Sequence, residues 1–180
     1  IDMQEVRQYF PLKKVTEGLF KIYQKLLKIK FIEEKTDNKW HSDVKLYEVR
    51  DKKSRKKIGN FYLDLHPRDG KYGHAAVFPI YSGCSTKLIT KRKTRRLPLV
   101  AMACNFPENE CLEFSDVETF FHEFGHVMHE LCSKTELSDF SGFGVENDFV
   151  EAPSQMLEFW CYETKPLQMM SSHKETGKVI

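Results

Sequence analysis

Apolar residues recur at helical spacing early in the chain. Val15, Leu19, Tyr23, Leu26, Leu27 and Phe31 are separated by lysines, which predicts an amphipathic helix over residues 11–31. Residues 44–49 and 58–65 alternate partially instead, and the polar run DKKSRKK between them predicts a hairpin with a solvated, basic loop. Two more strands are expected at 74–81 and 97–105, and LPLVAMACNF is apolar enough to be buried on both faces. Ser115 followed by Glu118 reads as a capping box, so the next helix is expected over 116–133. After a loop holding Ser141, Gly142 and Gly144, a further helix is expected over about 149–163. Pro153 must lie in its first turn, since deeper inside it would cost about 3 kcal/mol.

These elements predict an α+β chain: a helical lead-in (1–40), a small, mostly antiparallel sheet (41–110), and a helical part (111–180). Internal repeats are absent, and no Gly/Ser/Pro-rich linker divides the chain. It is read as one segment, internal to a longer protein, because it opens on Ile1 and ends on the polar stretch SSHKETGKVI.

The helix over 116–133 carries HEFGH at 122–126. Residues four apart on a helix lie about 5 to 6 Å apart at Cβ, so His122 and His126 can reach one zinc ion with bonds of about 2.0 to 2.1 Å. Glu123 is turned about 100° from His122, poorly aimed at a metal and better placed to hold a water. This is the H-E-x-x-H arrangement of zinc peptidases. On the wheel His122, His126 and His129 fall within about 60° of one another, with Phe120, Phe124, Val127 and Leu131 opposite.

A catalytic zinc site takes three protein ligands and an open position. Cys132 could extend the motif, but it points about 80° from His122 on an unbroken helix. The better source is the following helix. There Glu151, Gln155, Glu158 and Tyr162 form a polar stripe opposed by Phe149, Met156 and Trp160. Glu151, nearest the helix start, is the expected third ligand. His129, Gln155 and Glu158 are candidates for orienting the ligands.

Bulk numbers narrow the picture modestly. With 180 residues, 41% hydrophobic and 30% charged, the chain can bury a core. A net charge of +2 implies no acidic partner, and the basic runs RDKKSRKK and KRKTRR lack the interleaved aromatics of a nucleic-acid surface. No apolar run reaches the length of a membrane span. The five cysteines form no C-x-x-C and leave one over if paired, so free thiols and a cytoplasmic setting are expected. Cys104 is expected in the core, and Cys111 and Cys132 at the surface.

HEFGHVMHELC, followed by FSGFGVENDFVEAPSQMLEFW, closely resembles the thimet oligopeptidase and neurolysin branch of the M3 metallopeptidases. The resemblance extends over YFPLKKVTEGL, GNFYLDLHPRDGKYGHAA and LVAMACNF. It implies a zincin-like catalytic segment of a larger, mainly helical protein with a deep channel. It also implies one zinc ion per chain, held by His122, His126 and Glu151, with Glu123 as general base. Short unstructured peptides are the implied substrates, and a monomer is expected, with no nucleic-acid or membrane partner. A substrate could add as a strand near 73–77, with Gly73, His74 and Ala75 in contact. The family's thiol sensitivity makes Cys111 and Cys132 redox candidates.

The chain departs from the family pattern at Phe143 and Gly144, where a threonine and a variable residue follow FSG, and at Phe159 within MLEFW. The family's later glycine-rich loop, with its Tyr and His, has no counterpart in these residues. Two other readings stand beside this one: a zinc peptidase of another substrate class, and a basic binding module with a vestigial motif. Metal content separates the last from the others.

Overall fold

A computed structural model of the chain describes residues 2–90, 94–108 and 110–180. The lead-in opens with a short helix α1 (Met3–Arg7), whose N-cap Asp2 accepts a hydrogen bond from the Gln4 N–H. Helix α2 (Leu12–Leu26) buries Val15, Leu19, Ile22 and Tyr23. It stops short of the expected end. The backbone turns at Lys28 with φ 55°, and Ile29–Glu34 continues as strand β1. Phe31 is therefore a strand residue, yet its ring still joins the same core, 4.9 Å from Phe20 and 5.6 Å from Phe124. The run IKFIEE fits a strand's alternation as well as a helix's spacing, so pairing with the next strand decides it.

The expected hairpin is present as β2 (Lys45–Asp51) and β3 (Lys57–Asp64), paired antiparallel with Val49 opposite Gly59. Its loop closes on Asp51, whose carboxylate accepts hydrogen bonds from the Ser54 N–H (2.6 Å) and hydroxyl (2.7 Å). Strand β4 (Ala76–Tyr81) follows, then a small pair formed by β5 (Cys84–Ser85) and β6 (Arg95–Arg96) around a helical turn α3 (Lys87–Thr90). Residues 91–93 of the second basic run lie outside the described residues.

Strand β7 (Leu99–Ala103) runs inside the five-stranded sheet, whose order is β1-β2-β3-β7-β4. Val100 and Met102 on it are fully buried, as its apolar sequence requires. The sheet is mixed: β3 and β7 are parallel, and the other neighbours antiparallel. Because β1 belongs to it, the sheet starts at Ile29, not after residue 40.

The long helix α4 (Phe114–Cys132) packs against β3, β7 and β4. Phe20, Phe31, Tyr47, Phe61 and Phe124 meet between the helices and the sheet, most pairs in edge-to-face contact. Beyond α4 come a 3-10 turn (Ser138–Phe140), helix α5 (Ala152–Glu158), a 3-10 continuation (Phe159–Tyr162) and helix α6 (Thr164–Met170). Helix α6, which the pattern does not predict, lies across α2 at Gly18. A Cβ at that glycine would fall 2.4 Å from Met170 Cβ.

Candidate metal centre

The start of α4 is fixed two residues earlier than expected. Glu113 is the cap, its side chain accepting from the Asp116 N–H while the Asp116 carboxylate accepts from the Glu113 N–H (3.1 Å). Carboxylates thus replace the Ser and Glu of the expected box, and Ser115 lies inside the helix. From there Phe120, Phe124, Val127 and Leu131 fall in the core. His122 and His126 share a face, their ring centroids 5.0 Å apart.

Glu151, at the N-cap position of α5, meets both rings. Its Oε2 lies 3.0 Å from His122 Nε2 and 3.1 Å from His126 Nε2. The Ser154 hydroxyl donates to the same oxygen at 2.9 Å. On the far side of the ring, His122 Nδ1 lies 3.0 Å from Glu158 Oε2. The two helices approach closely at Gly125, within HEFGH itself. A Cβ there would sit 2.7 Å from Ser154 Cα. The motif's glycine therefore sets the distance at which Glu151 meets the histidines.

That close approach changes the expected face of α5. Ser154, Leu157 and Cys161 turn inward, while Phe149 and Met156, expected on the apolar side, are 52% and 61% exposed. Only a small side chain fits where α5 touches α4, so Ser154 occupies the contact. The polar stripe divides accordingly. Glu158 reaches His122, Gln155 faces solvent, and the Tyr162 hydroxyl donates to Glu118.

Burial pushes His126 below the usual imidazole range, overcoming the opposite pull of Glu151. Burial also raises Glu123 above the usual carboxylate range, with His122 opposing and Glu151 adding to the rise. For Glu151 burial acts upward too. The Ser154 hydrogen bond and the two imidazoles outweigh it and hold that carboxyl low.

Other candidate positions fall outside this group. His129 is half-buried; its Nδ1 is buried without a hydrogen-bond partner among the described residues, and its ring faces Phe143 at 6.5 Å. Gly73, His74 and Ala75 lie in the loop just before β4, an edge strand, with His74 exposed and 5.7 Å from the Tyr72 ring. Cys132 is exposed at the end of α4, and Cys104 is buried. Cys111, expected at the surface, is buried against α1, with its Sγ 3.8 Å from the Gln8 carbonyl. The isolated bridge from Pro11 to Cys111 pulls it in.

The family model for Peptidase family M3 matches residues 1–180. The chain belongs to that family. It is 44% identical over its whole length to saccharolysin of Saccharomyces cerevisiae and 44% identical to a thimet-like oligopeptidase of Dictyostelium discoideum, covering 26% and 27% of those proteins. Against oligopeptidase A of Escherichia coli the identity is 35%, with the chain again fully covered and 27% of the relative. This M3 chain thus spans about a quarter of the length of the curated relatives it matches.

His122, His126 and Glu151 each offer this M3 chain one ligand atom, and those atoms all lie within 4.8 Å of one another. Two imidazole nitrogens and a carboxylate oxygen are a donor set that suits zinc, and burial keeps the lone pair of His126 available. The residues fit a metal. No helix among the described residues is long and apolar enough to cross a membrane.

Reading the chain alone passes over the residues that bring His122, His126 and Glu151 together. Gly125 carries a signal, since an isolated glycine inside a helical pattern needs a reason. Ser154 carries none, because its role depends on the contact of α5 with α4.

Proposed function

We propose that this chain holds the metal centre and general base of a zinc-dependent endopeptidase that hydrolyses short, unstructured peptides. The observation that carries the reading is the meeting of His122 Nε2 and His126 Nε2 on one Glu151 oxygen from a separate helix. A bound zinc would supply a Lewis acid for the scissile carbonyl and lower the pKa of a water. His122, His126 and Glu151 would hold it, with Glu158 keeping His122 aimed by accepting from Nδ1.

Glu123 is the base. It follows His122 on α4 yet is not one of the three residues grouped around a common point, so its carboxylate is free to take a proton from a water there. In the reaction Glu123 takes one proton from the attacking water and delivers it to the leaving amine as the C–N bond breaks. The open edge of β4 offers backbone N–H and C=O groups to an extended peptide, and Gly73, His74 and Ala75 lead into that edge.

Glu123→Gln is expected to retain one zinc per chain and lose nearly all turnover of an internally quenched peptide. Appreciable residual cleavage would remove Glu123 from the role of base. Equal cleavage of a folded protein and a short peptide would contradict the substrate class.

A further inference from the structure

The two metal-ligand histidines are held in different ways. His122 Nδ1 has the Glu158 carboxylate at 3.0 Å, which fixes its ring through a hydrogen bond. His126 Nδ1 is buried and has no hydrogen-bond partner among the described residues. Two rings meet the His126 ring in T-shaped contact instead: that of His122 on the same helix, at 5.0 Å and 81°, and that of Phe143, at 5.5 Å and 84°. Phe143 reaches it from the loop between α4 and α5, and it borders His129 in the same perpendicular manner.

That loop is anchored to the metal helix itself. Glu130, one turn beyond His126 on α4, is fully buried. Its carboxylate accepts from the Phe143 N–H at 3.3 Å and from the Ser141 hydroxyl at 3.4 Å. Between those donors Gly142 adopts φ 53°, and a Cβ on it would fall 1.7 Å from Glu130 Oε2. Only glycine lets the turn close over the carboxylate. A buried carboxylate is expensive to maintain. Among the described residues its hydrogen bonds go to this turn alone.

We propose that Phe143, clamped by Glu130 across the Ser141–Gly142 turn, is the positioning residue for His126, setting the imidazole plane by ring packing where His122 uses a hydrogen bond. The inference rests on the metal-centre reading given above. Perpendicular aromatic pairs have a preferred geometry, so the ring can restrict rotation about the Cβ–Cγ bond of His126 without any polar contact. Gly142 and Glu130 then act on the metal centre only through Phe143.

The test is zinc affinity, measured by competition with a chelator on the native protein, together with histidine ring-nitrogen spectra of the metal-free form. Phe143→Ala and Gly142→Ala are each expected to weaken zinc binding about 10- to 100-fold, the usual effect of losing a group that orients a ligand. Both should also broaden or split the His126 ring signals. Phe143→Tyr, which keeps the ring, should bind zinc close to the parent level. Where Phe143→Ala does not fold, Gly142→Ala and Phe143→Leu carry the same comparison. Folded variants without the ring that keep parental zinc affinity and an unaltered His126 spectrum overturn the proposal. His126→Ala separates the two levels. If it retains parental zinc affinity, the metal-centre reading falls and takes this inference with it. If it loses zinc while Phe143→Ala does not, only the positioning role falls.

Discussion

Single atoms decide how tightly this site can be drawn together. A methyl group at Gly125 would collide with the backbone of Ser154, the residue whose hydroxyl holds Glu151 Oε2. Gly125→Ala is therefore expected to push α5 away from α4. It should destabilise the protein by about 1 to 3 kcal/mol in urea unfolding and weaken zinc binding in parallel, because Glu151 moves with α5. Glu158→Ala acts on His122. It leaves His122 Nδ1 without its carboxylate and should lower zinc affinity about 10- to 100-fold while changing the urea midpoint little, as chelator competition would show. The motif residues at this scale are readable from the chain, since H-E-x-x-H states its own geometry once a helix is assumed. The choice of Glu158 over Gln155 as the partner of His122 is not, because both sit on one polar stripe. The rotation of α5 against α4 separates them.

At the scale of elements, the ends of β3 and β7 are tied to the loop that leads into β4. The Lys71 side chain is buried and donates to the Asp64 carboxylate (2.8 Å), to the Asp64 and His66 carbonyls, and to the Cys104 carbonyl. Arg68 adds a two-pronged contact at 2.8 Å to both Asp64 oxygens, and the Trp40 indole N–H donates to Oδ2. Burial alone would raise the Asp64 carboxyl. The hydrogen bonds from Arg68, Lys71 and Trp40 outweigh it and hold the group well below the ordinary carboxylate range. A carboxyl lowered in the folded state contributes stability in full above its unfolded value of about 3.9 and loses it as pH falls towards the folded value. Asp64→Asn should thus cost about 3 kcal/mol near neutral pH by leaving Lys71 buried and unpaired, with the gap to the parent narrowing below about pH 4. Denaturant unfolding of both proteins across that range measures it. Little of this is visible in the residues PRDGKYG by themselves. The same limit explains β1: alternation and helical spacing coincide over six residues, and the pairing of Phe31 with Val49 selects the strand.

For the molecule as a whole, burial orders the thiols. Cys104 and Cys161 are fully buried, and burial pushes both thiols up, that of Cys161 to about 12. In native protein a thiol reagent is expected to leave these two unmodified until the chain unfolds, at a rate independent of reagent concentration. Cys132, exposed at the end of α4, should be modified well before them. Peptide mapping by mass spectrometry distinguishes the sites. Early labelling of Cys104 would mean that the β7 end of the core opens far more readily than its packing implies. Cys111 belongs with the protected group: its accessibility could not be read from the chain, because the contact with Gln8 spans 103 residues.

The sequence alone determined the spacing of His122 and His126 on one face of α4, the place of Glu123 beside them and that of Glu151 at the start of the next helix, because these depend on helical geometry and on residue chemistry. It also determined the hairpin and the buried strand, which alternation and an unbroken apolar run specify locally. The tertiary structure decided what local spacing leaves degenerate: a strand instead of a longer helix at 29–34, Ser154 instead of Met156 at the helix contact, and Phe143 against His126. Each of those outcomes is set by packing between segments far apart in the chain, where one methyl group or one ring plane outweighs the weak preferences of the residues themselves.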